Sequence, residues 1–328
     1  MTVGPDRTPE APGPGPISPA VLRALDLAIL RRVESLVPGE HLTPQVGGGT
    51  ELATIRPYFP GDDVRHIDWN VTARMNEPHV RVHVGERALS AWLVLDVSAS
   101  MAFGTADRRK ADVAEGVALA LGHVATRRGN RLGVLAFGAG APRVLKPRQG
   151  RLGLLTLLAE LRRPAAPEPD RPPGRTSLGT ALRQVAALGR QRGLVAIVSD
   201  FRGESDWEAP LRALRGRHGV LACEIRDPRE QELVAAGDLW LVDPETGRQV
   251  QVNTRRRRVR ERFAAAAAAE RDEVAHTLRR AGADHLVLST EGDWLQALAR
   301  HLRRGEASLR AGAPTRAAVA ARLGAAAS

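Results

Sequence analysis

Three short polar stretches of the chain offer oxygen ligands at spacings that suit a hard divalent cation. Asp96-Val97-Ser98-Ala99-Ser100 carries a carboxylate and two hydroxyls at alternate positions, Thr176-Ser177 carries two hydroxyls, and Ser199-Asp200 carries a hydroxyl and a carboxylate. Mg²⁺, Mn²⁺ and Ca²⁺ are held by such groups, whereas softer metals favour the thiolates and imidazoles that all three stretches lack. A fourth stretch, from Tyr58 to Asn70, packs Asp62, Asp63, Arg65, His66 and Asp68 into thirteen positions. Its acids and histidine suit a metal or acid/base centre, and its Pro60-Gly61 followed by acids suits a tight turn leading into a capped helix.

The elements that must position these groups follow from hydrophobic spacing. From Ala88 onward, short and nearly continuous apolar runs alternate with helical segments: Trp92 to Leu95, Leu132 to Phe137, Leu194 to Val198, Val220 to Ile225 and His285 to Leu288. Strands covered on both faces by helices have this composition, and the intervening helices are marked by Val113, Val117, Leu121 and Val124, by Leu178 to Leu188 and by Leu211 to Leu214. The fold class is therefore α/β, a doubly wound and mostly parallel sheet, in which ligands are taken at the carboxyl ends of the strands. Asp96 and Asp200 stand at two such ends, and Thr176 and Ser177 stand where a helix begins. The run Leu239 to Val242, Asp243-Pro244-Glu245-Thr246-Gly247 and Arg248 to Val252 predicts an inserted hairpin before a long helix near 257–280. His79 to Val84 alternates strictly and is expected to add an outer strand to the sheet.

Outside this domain, 18–87 reads as an accessory segment opening on a helix over Pro19 to Val37, while 1–17 and 305–328 have the Pro/Gly-rich and Ala/Arg/Gly-rich composition of disordered tails. The net charge is +11, yet only Lys110 and Lys146 of the 48 basic residues are lysines, a bias that GC-rich codons produce by themselves. The dense run Arg255 to Arg258 reads as a solvated face, with phosphate or nucleic-acid binding as its competitor. With aromatic residues at 3%, a base-stacking platform has few candidates. Cys223 is the single cysteine and sits in a strand-like run, so it reads as a buried hydrophobe. Neither a signal peptide nor a membrane span is visible, and a cytoplasmic protein is expected.

The order of motifs adds a resemblance. DxSxS at a strand end, a threonine at a helix start and an aspartate ending another strand resemble the metal-ion-dependent adhesion site of von Willebrand factor A domains. Carried over residue by residue, the resemblance implies Asp96, Ser98, Ser100, Thr176 and Asp200 as metal-site residues, with Ser177 an alternative to Thr176 and a partner's carboxylate completing the coordination. Capping of the adjacent helices by the same hydroxyls is the structural alternative. The segment Arg56 to Arg74, with its GDD and RxIDW motifs ahead of DVSAS, closely resembles the family called domain of unknown function 58, over roughly residues 20–304. That resemblance implies a non-enzymatic, metal-dependent protein-binding module serving a MoxR-type AAA+ ATPase in protein maturation or complex assembly.

Two rival functions are weighed against it. Aspartyl phosphotransfer from Asp96 meets Ser98 where such enzymes carry a second aspartate, and no Gly-rich phosphate loop with lysine follows any strand. Nucleic-acid binding rests on the arginine-rich surface alone. The stretch around Asp62 is read as a charged structural joint, with Asp62 or Asp63 capping a short helix, Ile67 and Trp69 facing inward, and Arg56, Arg65 and Arg74 pairing with the three acids. A metal at His66, His79 and His83 is its competitor.

Overall fold

The computed structural model describes residues 13–15, 51–84, 90–125, 130–138, 140–149, 176–203, 205–243 and 247–312. The chain divides into two compact units, one of them Gly39–Ala88 and the other formed by Met1–Pro38 with Leu89–Ser328.

In the larger unit six strands form one sheet: β3 (Ser90–Asp96), β4 (Arg131–Phe137), β5 (Arg143–Gln149), β6 (Gly193–Ser199), β7 (Gly219–Arg226) and β10 (Asp284–Ser289), in the order β10-β7-β6-β3-β4-β5. All neighbours are parallel except β4 and β5, so the expected doubly wound, mostly parallel sheet is present with an antiparallel edge strand. Every residue of β3 and β6 is buried, which is why both read as unbroken apolar runs. Alternate side chains of β3 feed two cores. Leu93 and Leu95 pack with Val113, Val117 and Leu121 of α2 (Lys110–Ala125) and with Leu298 of α6 (Trp294–Gly312). Trp92 and Val94 pack with Leu182 and Val185 of α3 (Leu178–Leu188), with Leu211 of α4 (Glu208–Arg215), and with Leu278 of α5 (Arg257–Arg280). The hairpin expected before the long helix is β8 (Asp238–Val242) with β9 (Gln249–Asn253).

Three features of this unit depart from sequence expectation. β5 was not foreseen because Pro147 interrupts its run; the proline lies where the β4–β5 register shifts between Leu132 and Val134, a place where a missing N–H is tolerated. α6 continues to Gly312, past the point where apolar spacing gives out and a tail was expected. Of the expected N-terminal tail, residues 13–15 are packed: the Trp294 indole N–H donates to the Pro14 carbonyl at 2.9 Å. Gly116 of α2 makes room for that ring, since a Cβ there would lie 2.3 Å from it. The helix expected over 19–37 lies outside the described residues.

In the smaller unit β1 (Glu51–Pro57) pairs antiparallel with β2 (His79–Val84). This corrects the expectation that His79 to Val84 joins the large sheet: its strict alternation described a two-stranded ribbon, and the partner Glu51–Pro57 carries too weak a pattern to be seen beforehand. The stretch between them is a set of charged clasps. Arg56 is bidentate to Asp62 at 2.7 and 2.7 Å, Asp63 caps a short 3₁₀ turn over Val64–His66 and pairs with Arg65, and Asp68 caps α1 (Trp69–Met75) by accepting from the backbone N–H groups of Asn70 and Val71. Asp68 takes Arg81 at 2.8 Å, not Arg74, because β2 brings Arg81 to the helix start. Trp69 is 70% exposed, against the expectation that it faces inward. A bridge to Val80 commits Ile67 to β2, and the helix starts beyond it with Trp69 on the open side. The His79 ring nitrogen Nδ1 is engaged by the Glu77 carbonyl at 2.7 Å, an ordinary structural contact.

Candidate functional site

The sheet reverses its winding between β3 and β6, since β4 and β5 follow β3 on one side while β6, β7 and β10 extend the other. Sheets of this kind take ligands at the carboxyl ends of the strands flanking such a reversal, and it is here that Asp96 and Ser199-Asp200 emerge. The Val97 N–H donates to the Phe137 carbonyl at 2.8 Å, keeping the chain beside β4 for one more residue before it turns. The Ser98 N–H then closes onto Asp96 Oδ1 at 2.9 Å, and a 3₁₀ turn over Ala99–Ala102 follows. The Ser98 hydroxyl makes no capping bond to that turn; it lies 3.1 Å from the Ser100 hydroxyl. Gly138, at φ 108°, lets the β4–β5 loop press against this turn, for a Cβ there would fall 2.7 Å from the Ser98 nitrogen.

On the other wall, Ser199 donates its hydroxyl to Asp96 Oδ2 at 2.5 Å and accepts the Phe201 N–H at 3.0 Å. Phe201 is in the left-handed region at φ 55°, rare for a side chain of its size. It is held by burial and by an edge-on contact with Trp207 at 5.5 Å between ring centroids. Strain of this kind persists where the surroundings over-determine it; in the same turn the Asp200 carboxylate oxygen Oδ1 takes the Arg202 N–H at 3.1 Å.

The two carboxylates differ in their electrostatics. Burial first, and then the neighbouring Asp200, push the Asp96 carboxyl up to about 6, against the lowering effect of the Ser199 and Ser98 hydrogen bonds. Burial acts in the same direction on Asp200, but the charge and hydrogen bond of Lys110, with smaller help from Arg202 and Ser100, hold it below the usual carboxylate range. Lys110 is wholly buried, with Nζ 2.6 Å from Asp200 Oδ2 and 2.7 Å from Glu230 Oε1. Glu230 also receives Arg202 at 3.0 Å, and Arg202 reaches Glu270 of α5 at 3.2 Å.

Thr176 and Ser177 are separated by their commitments. Ser177 caps α3, accepting the Thr180 N–H, and donates to Asp206 at 2.6 Å. Thr176 makes no cap; its hydroxyl donates to the Gly140 carbonyl at 2.9 Å, on the loop whose Gly138 abuts Ser98. The structure thus links Asp96, Ser98, Ser100 and Asp200 through direct hydrogen bonds and charge, and ties Thr176, just ahead of α3, to the adjoining β4–β5 loop. The donor set is made of hard oxygens, two carboxylates and up to three hydroxyls, and fits Mg²⁺, Mn²⁺ or Ca²⁺. Groups of three or more His, Cys, Asp or Glu able to hold a metal are absent among the described residues, so the site depends on its hydroxyls.

Sequence reasoning missed Ser199 as a partner of Asp96, and Lys110, Glu230 and Arg202 altogether. One signal for Lys110 was present: a lysine among 46 arginines marks a position where a compact ammonium is required.

The comparisons with known proteins identify the family. The chain is 42% identical over 292 residues to "Uncharacterized protein Rv1480" of Mycobacterium tuberculosis and, equally, to "Uncharacterized protein Mb1516" of Mycobacterium bovis, each alignment covering 87% of this chain and 90% of the relative. Among solved structures it is similar to the conserved hypothetical protein BatB from Bacteroides thetaiotaomicron, with 14% identity, a TM-score of 0.43, and coverage of 66% of this chain and 98% of that one. Residues 54–273, from β1 through the clasped acids and five of the six strands of the large sheet into α5, match the family model described as "Protein of unknown function DUF58", and the chain belongs to that family.

Proposed function

We propose that this chain is a non-enzymatic, metal-dependent protein-binding module, which takes a divalent cation at the crevice between β3 and β6 and a protein partner's carboxylate through it. The observation that carries this reading is the convergence of Asp96, Ser98, Ser100 and Asp200 at the switch point of the sheet, with the Ser98 hydroxyl free of any capping duty. Asp96 and Asp200 would supply charge, and Ser98, Ser100 and Thr176 neutral oxygens. A cation held by few charged ligands keeps enough electrophilicity to recruit an external carboxylate. The family resemblance supports a MoxR-type AAA+ ATPase as the partner, and an adaptor or co-chaperone role in protein maturation or complex assembly.

Titration calorimetry with Mg²⁺ and Mn²⁺, in the presence and absence of the candidate ATPase, tests the reading. The partner should tighten metal binding, and metal should tighten partner binding by the same factor, because linkage between two equilibria is reciprocal. Asp96→Ala should abolish both effects in a chain that stays folded. Partner binding that persists unchanged in EDTA and in Asp96→Ala would refute metal dependence, and an association that weakens steeply with salt would favour the arginine surface and nucleic acid.

A further inference from the structure

The Asp200 carboxylate at the proposed metal site already has a cation. Lys110 is wholly buried at the start of α2 and makes two short ionic hydrogen bonds, 2.6 Å to Asp200 and 2.7 Å to Glu230, elements that lie 90 and 120 residues further along the chain. An ammonium is stripped of water here only because two carboxylates replace its hydration, and the compact head of lysine fits where the larger planar guanidinium would need more room. The loop before α2 is fastened to hold the lysine in place: Phe103 accepts the Lys110 N–H at 2.9 Å, and Thr105 is tied to Asp227 through both its N–H and its hydroxyl, at 2.8 and 2.5 Å.

We infer that Lys110 is a resident counter-cation that positions Asp200 and sets the charge of the site, so that a divalent ion is held weakly until a partner contributes a further carboxylate. This rests on the metal reading of the site and specifies its regulation. Asp96, Asp200 and Glu230 set against the ammonium of Lys110 and the guanidinium of Arg202 leave a single net negative charge, too little to retain a divalent cation firmly, and an external carboxylate restores the deficit. The Lys110–Glu230–Arg202–Glu270 chain of ion pairs also joins the crevice to α5, so the same lysine ties the site to the outer helix layer.

The test uses the full chain and Mn²⁺ alone as probe, with free ion followed by electron paramagnetic resonance and folding checked by circular dichroism. Lys110→Met, which keeps the stem and removes the charge, should raise Mn²⁺ affinity by roughly tenfold or more, the scale of deleting a unit charge a few ångströms away in a partly screened interior. A purely structural lysine predicts the opposite, a loss of affinity as Asp200 becomes disordered, and that result overturns the inference. Glu230→Gln guards against a Lys110→Met chain that fails to fold. It withdraws a negative charge from the far side of the ammonium and should weaken Mn²⁺ binding by roughly threefold, whereas equal or tighter binding overturns the inference. If the native chain and both variants bind no Mn²⁺, the metal reading and the inference fall together; equal affinity in the native chain and Lys110→Met removes the inference alone.

Discussion

Asp227 shows how much one side chain can organise at the carboxyl end of this sheet. It is wholly buried and accepts four hydrogen bonds, from the Thr105 N–H and hydroxyl, the Arg229 N–H and the Thr290 hydroxyl, so it fastens the loops that follow β3, β7 and β10. Burial alone would raise its pKa, yet the donors prevail and hold it below the usual carboxylate range. A carboxyl whose folded pKa is depressed contributes stability that is complete above its unfolded value near 3.9 and disappears as pH falls through the folded value. Asp227→Asn should therefore flatten the loss of thermal stability between about pH 5 and 2, as followed by calorimetric melting. Asp227→Ala should cost about 2 to 4 kcal/mol at neutral pH in urea denaturation, because its buried donors lose their acceptor. The candidate ligands were legible in the sequence, since a DxSxS pattern and a strand-final aspartate are local. The pairing of Lys110 with Glu230 was not, because an ion pair across 120 residues leaves no spacing to read.

At the scale of elements, buried parallel strands and the helices over them were visible as apolar runs and spaced faces, and α3 begins and ends where the sequence reading put it. What escaped was pairing. β2 was read correctly as a strand and assigned to the wrong sheet, because alternation reports faces and is silent about neighbours. Packing of α2 on α6 turns on a single glycine. Replacing Gly116 by alanine would ordinarily strengthen a helix by about 1 kcal/mol. Here the new methyl would lie 2.3 Å from the Trp294 ring, which is only 3% exposed and has no room to retreat. Overpacking costs about 1 to 3 kcal/mol, so Gly116→Ala should lower the urea midpoint, and the indole fluorescence of Trp294 should shift as its hydrogen bond to Pro14 loosens.

Over the whole molecule, no helix among the described residues is long and apolar enough to cross a membrane. The arginine run 255–258 lies at the start of α5, where Arg257 pairs with Glu261 one helical turn on; Arg260, beyond the run, bonds the Thr254 carbonyl. The outermost strand of the large sheet has a different significance. Among the described strands β5 presents one edge of the sheet, and along it stand an exposed Lys146, Pro147, and an exposed Arg148. An open edge invites a strand from another molecule, and a buried cation, a missing backbone donor or a local irregularity all make that union unfavourable. β5 combines charge, proline and a register shift within three residues of one another. Replacing Lys146 and Pro147 together by valine should leave the melting temperature nearly unchanged while light scattering at elevated concentration rises. That outcome would give the chain's second lysine the part of a guard against fibre-like self-association at the sheet's boundary.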